Sequence, residues 1–444
     1  MSDSSPRLGI IADDLTGAMD TGVQFAKEGL HTVVMLGEGE LPEAEMVVAS
    51  TDSRDLPAAE AFRRAREAGL RLAGRTIYKK LDSTLRGNLG PEIDGLLDAL
   101  ALERALVAPA YPSAGRTTVG GLHMVHGVPL AESNFASDPT WPATESHLPT
   151  ILSKQTRRAV GHLDLSVVRQ GVGAVAATLR AEPAPIVAAD AETPEDLRTL
   201  AMALARMEEG WLPCGSAGLA EEWPRALGLE RPRTELRWTE DSHAVLVLSG
   251  SRNRASAEQL RRADAEGYVR LVNLTLCHRE FGTPCHPERS EASLRSERSF
   301  AVDQDDTCRA PGDGVPGNED AEIAADVAAL LNQGTNVALT TTFSEYREGK
   351  AMAVAARLAE IAGLALARAR VAGLFLTGGD VARAVCRRLG ATALQALGEV
   401  QPGVPAGLLV GGPYGGTRVV TKAGGFGNDK AIMESIDCLR GKTT

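Results

Sequence analysis

Short apolar runs alternate with helix-spaced stretches along the first half of the chain, and three of those runs stop on acidic, hydroxylated segments. Leu8–Ala12 leads into Asp13-Asp14-Leu15-Thr16-Gly17, Met46–Ser50 into Thr51-Asp52-Ser53-Arg54, and Thr76–Leu81 into Asp82-Ser83-Thr84. His31–Leu36 and Ala105–Ala108 are further strand candidates, while Ala18–Glu28, Ala58–Ala68 and Glu92–Ala101 have helical spacing. Alternation of this kind predicts a parallel sheet wound with helices. In such sheets ligands collect beyond the carboxyl ends of the strands. The three polar segments are therefore expected to converge on one rim.

A second alternating half follows Gly228–His243, a stretch rich in Arg, Glu, Pro and Thr that looks like a linker. Its strand candidates are Ala244–Leu248, Val269–Leu274, Val337–Thr341, Leu374–Thr377, Leu408–Val410 and Arg418–Thr421. Ala321–Leu331, Ala351–Ala365 and Val381–Arg388 are its helices. The fold class expected is α/β, with two doubly wound domains and an active-site cleft between them. The domains are 1–235 and 240–444. One segment, about 277–318, breaks the pattern. Glu288-Arg289-Ser290-Glu291-Ala292-Ser293 is nearly repeated by Leu294-Arg295-Ser296-Glu297-Arg298-Ser299, and Gly/Pro/Asp-rich residues follow. It cannot build a core and reads as a low-complexity insertion.

Composition closes off several function classes. A formal charge of −11 with no lysine-rich stripe argues against a nucleic-acid partner. No apolar run approaches the roughly 18 residues of a membrane span, and Leu8–Ala12 runs straight into two aspartates instead of forming a signal-peptide core. The six cysteines form no Cys-x-x-Cys pair, and Cys277-His278 with Cys285-His286 matches no standard zinc spacing. The chain reads as cytoplasmic with reduced thiols.

The polar segments carry the chemistry. In Lys79-Lys80-Leu81-Asp82-Ser83-Thr84-Leu85-Arg86-Gly87-Asn88, eight of ten residues are polar or glycine. Packed between a strand and a helix they need partners, since unpaired buried polar groups are costly. A polar, anionic ligand fits; a solvated loop with a helix cap from Asp82 or Ser83 is the plain alternative. Asp13 and Asp14 can orient hydroxyls, take a proton or hold Mg²⁺ through water, or Asp14 or Thr16 can simply cap the helix Ala18–Glu28. Arg116, beside Thr117 and Thr118, adds a cation. His123 and His126 read as structural.

In the second half, Thr377-Gly378-Gly379-Asp380-Val381 follows an apolar strand and opens a helix, which suits phosphate. Ser249-Gly250-Ser251 is a weaker turn of the same kind. Thr421-Lys422-Ala423-Gly424-Gly425-Phe426-Gly427 adds a lysine to a three-glycine loop. No Walker A sequence occurs, no Gly-x-Gly-x-x-Gly follows the first strand, and Cys214-Gly215-Ser216-Ala217-Gly218 is not a serine-hydrolase elbow.

These pieces, in order, resemble the four-carbon acid sugar kinases, a family formerly catalogued as a domain of unknown function. The matching motifs run from Ala12-Asp13-Asp14-Leu15-Thr16-Gly17-Ala18 and Lys80–Asn88 through Ala114-Gly115-Arg116-Thr117-Thr118 and Gly215-Ser216-Ala217-Gly218-Leu219-Ala220. They continue with Ser249-Gly250-Ser251, Thr377-Gly378-Gly379-Asp380 and Lys422-Ala423-Gly424-Gly425-Phe426-Gly427. The resemblance implies an ATP- and Mg²⁺-dependent kinase acting on the terminal hydroxyl of threonate, erythronate or 3-oxo-tetronate. It implies a sugar-acid domain followed by a nucleotide domain, with Ser249, Gly378, Gly379, Asp380, Val381 and Gly424 at the nucleotide; Lys422 and Gly425 belong to the same loop. Two departures stand out: Val381 where a threonine is usual, and the 277–318 insertion.

Residue chemistry and resemblance together assign Arg86, with Lys80 or Arg116, to the substrate carboxylate and Asp82 and Asn88 to its hydroxyls, with Ser83 also at the substrate. Asp13 or Asp14 would accept the proton, with Asp380 as a rival base. Competing readings are an NAD-linked dehydrogenase of a related hydroxyacid and a non-catalytic sugar-acid-binding protein. The metal ligands, the particular acid and the oligomeric state, a homo-oligomer included, stay open.

Overall fold

Leu8–Ala12 is buried at every position and lies between Met46–Ser50 and Thr76–Lys80, parallel to both. Such strands read as continuous apolar runs because helices cover both faces of a parallel sheet. The computed structural model describes residues 7–37, 39–138, 141–207, 210–232, 236–274, 318–344 and 351–442. The chain divides into two compact units, Met1–Leu236 with Ala391–Gly416, and Arg237–Gly390 with Thr417–Thr444.

In the first unit, Thr32–Met35, Met46–Ser50, Leu8–Ala12, Thr76–Lys80, Trp211–Gly215, Arg104–Ala108, Ile186–Ala189 and Val160–Leu163 lie side by side in that order, all parallel. One core cluster joins Ile11, Val47, Ile77, Val107 and Leu212 of these strands to Ile93, Leu96 and Leu97 of the helix Leu89–Leu100. The helix Leu15–Lys27 begins at Asp14, whose side chain accepts from Gly17 N. Arg116–Val119, Leu122–Val125 and Val128–Pro129 form a small separate antiparallel sheet.

The second unit repeats the plan. Its order is Arg270–Asn273, Val337–Thr340, Val245–Ser249, Gly373–Thr377 and Arg418–Lys422, again all parallel. It is not the unbroken 240–444 that the sequence suggests. Residues 391–416 belong to the first unit, where Ala393–Gln401 pairs antiparallel with Thr32–Met35 and with Val404–Val410. The expected strand at Leu408–Val410 is therefore part of a hairpin on the first sheet. Thr32–Met35 would otherwise present unpaired N–H and C=O groups, and the hairpin satisfies that edge. Lys27 Nζ to Glu399 Oε2, 2.7 Å, ties the same hairpin to the first helix.

The expected insertion, except for Asn318 at the start of the helix Asn318–Asn332, lies outside the described residues, as do Cys277, Cys285 and Cys308. Among the described residues no helix is long and apolar enough to cross a membrane.

Candidate active site

Parallel pairing in the first unit brings the ends of Leu8–Ala12, Met46–Ser50 and Thr76–Lys80 to one edge. Asp13, Arg54 and Asp82 follow those strands and meet there. Arg54 Nε donates to Asp13 Oδ2 at 2.6 Å, while Nη2 lies 3.0 Å from Asp14 Oδ1 and 3.3 Å from Asp82 Oδ2. Burial would raise the Asp13 carboxyl, but Arg54, helped by Lys79 and Lys80, holds it below the ordinary range. Burial would likewise raise Asp82, and Arg86 and Arg54 outweigh it. Burial opposes the charge on Arg54, yet the three aspartates raise its pKa well above normal. Asp13 and Asp82 are thus ionised, and Asp13 keeps one buried oxygen, Oδ1, with no hydrogen-bond partner.

The two adjacent aspartates do different work. Asp14 Oδ1 accepts from Gly17 N at 2.8 Å and Oδ2 accepts from Thr16 Oγ1 at 2.6 Å, so Asp14 is the helix cap as well as a member of the rim. Gly17 is needed here: a Cβ would stand 2.5 Å from Asp14 Oδ1 and 2.9 Å from Lys80 Nζ.

The segment after Thr76–Lys80 is tightly bound. Asp82 Oδ1 accepts from Thr84 N and Thr84 Oγ1, both at 2.7 Å, and the turn leaves Leu85 in the left-handed region at φ 60°. A buried leucine there stores strain of the kind found at functional sites. Arg86 spends two N–H groups on Asp82 Oδ2, at 2.9 and 2.6 Å, and lies over the Phe135 ring. Its Nη1 points toward Asp138 Oδ2 at 3.7 Å. The carbonyl of Ser83 accepts from His123 Nε2 at 2.8 Å, while His123 Nδ1 pairs with Thr118 Oγ1 at 3.0 Å. Burial pushes His123 down to about 4, so it is neutral.

The expected ligand contacts differ in what their side chains touch. Asn88 Nδ2 donates to the carbonyls of Ser53, Arg54 and Leu56 at 3.0, 3.3 and 2.9 Å, so Asn88 holds the Arg54 loop in place. Lys80 is buried close to Gly17, and Arg116 is buried in the small sheet with its Nη1 on the Ala114 carbonyl. Lys79, beside Lys80, points elsewhere and forms a buried pair with Glu92 at 2.6 Å; Ser53 Oγ donates to the same carboxylate at 2.5 Å. Sequence reasoning left Arg54 and Glu92 without a role. Arg54 had a signal, since it closes the second of the three rim segments; Glu92 had none beyond its helical spacing.

The second unit offers a glycine-lined rim. Gly378 has φ 98° and opens the helix Gly379–Arg388, whose first N–H groups point outward. A Cβ on Gly424 would stand 2.4 Å from Ser251 Oγ, so the backbone approach there needs glycine. Lys422 is fully buried, and its Nζ donates to Ser256 Oγ, Ala423 O and Gly424 O at 3.1, 3.2 and 3.0 Å. It braces the loop that carries Gly424 and Gly425, and burial lowers its pKa to about 7. Ser249 is buried with its Oγ 2.9 Å from Thr342 Oγ1. Val381 is buried, its Cγ2 only 2.6 Å from where a Gly250 Cβ would sit, so this position packs inward. Asp380 pairs with Arg383 at 2.9 Å.

Two parallel α/β units, one edged by carboxylates and guanidinium groups and one by glycines and a helix N-terminus, define a two-domain protein suited to polar anionic ligands. A sugar-binding N-terminal domain model matches residues 8–223, and a nucleotide-binding C-terminal domain model matches 246–432. The chain is 34% identical to a D-threonate kinase of Salmonella typhimurium, over 96% of this chain and 97% of that one. It is 31% identical to a 3-oxo-tetronate kinase of Methylobacterium radiotolerans, over 97% and 99%. A crystal structure from Salmonella typhimurium LT2 shares the fold, with a TM-score of 0.73 at 23% identity over 97% of this chain and 98% of that one. The chain belongs to the four-carbon acid sugar kinase family.

Proposed function

We propose that this protein is an ATP-dependent kinase that phosphorylates the terminal hydroxyl of a four-carbon sugar acid of the threonate, erythronate or 3-oxo-tetronate type. The observation that carries the reading is the Arg54-centred rim, which gathers Asp13, Asp14 and Asp82 beside Lys80 and Arg86. Arg86, assisted by Lys80 and Arg116, takes the substrate carboxylate, because a guanidinium already held on one side by Asp82 is pre-oriented for a second anion.

Asp13 is the group that positions the attacking hydroxyl. Both oxygens of Asp14 are committed to Gly17, Thr16 and Arg54, whereas Asp13 Oδ1 is buried without a hydrogen-bond partner. An aspartate held ionised is a weak base. Phosphoryl transfer asks little of the base, since alignment and charge stabilisation carry most of the barrier lowering. Asp380, paired with Arg383, is the weaker candidate.

Gly378, Gly379 and Gly424 support nucleotide binding through close backbone approach, with the helix N-terminus favouring phosphate charge. Mg²⁺ would shield phosphate charge. Among the described residues no group of three or more His, Cys, Asp or Glu could hold a metal. The ion is expected to arrive on the ATP phosphates.

The test is Arg86→Ala, assayed for ADP release with four-carbon sugar acids and for nucleotide binding by calorimetry. Turnover should vanish while nucleotide affinity holds. Unchanged sugar-acid kinetics would remove Arg86 from the site.

A further inference from the structure

Asp20 belongs to none of the roles above. It lies on the helix Leu15–Lys27, one turn after Gly17, and residues three apart share a helix face. Lys80 lies over that face, its Nζ 2.9 Å from where a Gly17 Cβ would sit. Asp20 is 8% exposed, and its Oδ1 is buried with no hydrogen-bond partner. Its charge is felt by Arg116 and Tyr111 of the neighbouring segments. Burial lifts the Asp20 carboxyl to about 7; Lys80 opposes the rise, and Glu399, Glu221 and Asp14 add to it.

A buried carboxylate that serves only structure looks different in this unit. Asp190, fully buried, accepts from Gly120 N, Gly121 N and Leu165 N, and also pairs with His162. Asp20 has no such set of backbone donors. A buried acceptor left open costs free energy unless something fills it, and the cations around Asp20 are those assigned to the sugar acid.

We propose that Asp20 is a specificity-determining residue of the sugar-acid site, accepting a hydrogen bond from a secondary hydroxyl of the substrate beside Lys80. The ligand's identity rests on the kinase reading; the contact itself does not. A hydroxyl carbon supplies a donor for Asp20, whereas a deoxy carbon supplies nothing. Asp20 thus favours the hydroxylated acids over analogues altered at the recognised carbon. A site built to bond a hydroxyl rejects the ligand lacking it more strongly than an apolar pocket would.

The test is calorimetric titration, without nucleotide, of D-threonate, D-erythronate and the 2-deoxy and 3-deoxy tetronates into wild type, Asp20→Ala and Asp20→Leu. Asp20→Ala should weaken binding of the hydroxylated acids by about 10- to 100-fold and leave one of the two deoxy acids unchanged. Equal weakening of all four acids, or none, overturns the proposal. Should Asp20→Ala fail to fold, Asp20→Leu, close in size and without an acceptor, decides: the ratio of parent to deoxy affinity must shrink, and an unchanged ratio overturns it. Wild type that binds tetronates without releasing ADP in the presence of ATP contradicts only the kinase reading. Wild type that binds no four-carbon acid contradicts both.

Discussion

Arg54 Nε donates to Asp13 Oδ2 across 2.6 Å, joining the end of one strand to the end of its parallel neighbour. The same guanidinium reaches Asp14 and Asp82, so one cation bridges three carboxylates. Arg54→Ala should leave the buried Asp13 without its ion-pair partner, costing about 3–5 kcal/mol of stability and at least about 100-fold in turnover. Arg54→Lys should recover part of the stability but little activity, because an ammonium lacks the planar fork. Urea unfolding and ADP release check the two arms; full activity in Arg54→Lys would show that charge alone suffices.

Beneath the rim, Lys79 and Glu92 pair at 2.6 Å with both side chains buried. Burial pushes Glu92 up even with Lys79 beside it. Breaking such a pair costs about 3–5 kcal/mol, whereas replacing both partners with apolar groups is close to neutral. Glu92→Leu should therefore lower the urea midpoint sharply, and Lys79→Met/Glu92→Leu should restore most of it. Equal midpoints for the single and double variants would show that the pair is not coupled.

His123 sets an acid limit. Its pKa is near 4 in the fold against 6.5 unperturbed, so between these values the unfolded chain binds a proton that the native state excludes. Its contribution is whole above pH 6.5 and is lost as the pH falls toward 4. The steepest slope is about 1.4 kcal/mol per pH unit. His123→Gln should flatten the decline in unfolding free energy over that window, and an unaltered slope would place the acid sensitivity elsewhere.

The glycine rim gives a separable prediction. Gly424→Ala would put a methyl 2.4 Å from Ser251 Oγ, and Gly378→Ala would strain a residue at φ 98°. Each should weaken ADP binding by about 10-fold or more, a cost of about 1.4 kcal/mol, while sugar-acid binding stays at the wild-type level. Parallel losses of both ligands would point to unfolding instead, which a thermal melt would detect.

Much of the framework was legible because parallel strands buried on both faces write themselves as apolar runs. Leu8–Ala12, Met46–Ser50 and Thr76–Lys80 are of this kind, and their polar ends mark the rim. Ala393–Gln401 was not legible. It carries Gly398, Glu399 and Gln401 with register shifts between Ala396 and Gly398 and between Glu399 and Gln401, so no clean alternation survives. Its place beside Thr32–Met35 comes from long-range pairing that local pattern does not encode. Within the rim, residue type announced charge but not direction: Lys79 and Lys80 are neighbours, and strand alternation turns one toward Glu92 and the other toward Gly17. Asn88 and Lys422 read as ligand contacts because their types suit one, yet backbone carbonyls take their hydrogen bonds.

The most direct measurement is ADP release by the wild-type protein with ATP and Mg²⁺ over threonate, erythronate and 3-oxo-tetronate, with NAD⁺ reduction followed in parallel on the hydroxyacids. ADP should form only when a four-carbon sugar acid is present, in step with a product phosphorylated at the terminal hydroxyl. No ADP with any of these acids, together with NAD⁺ reduction, would contradict the kinase reading.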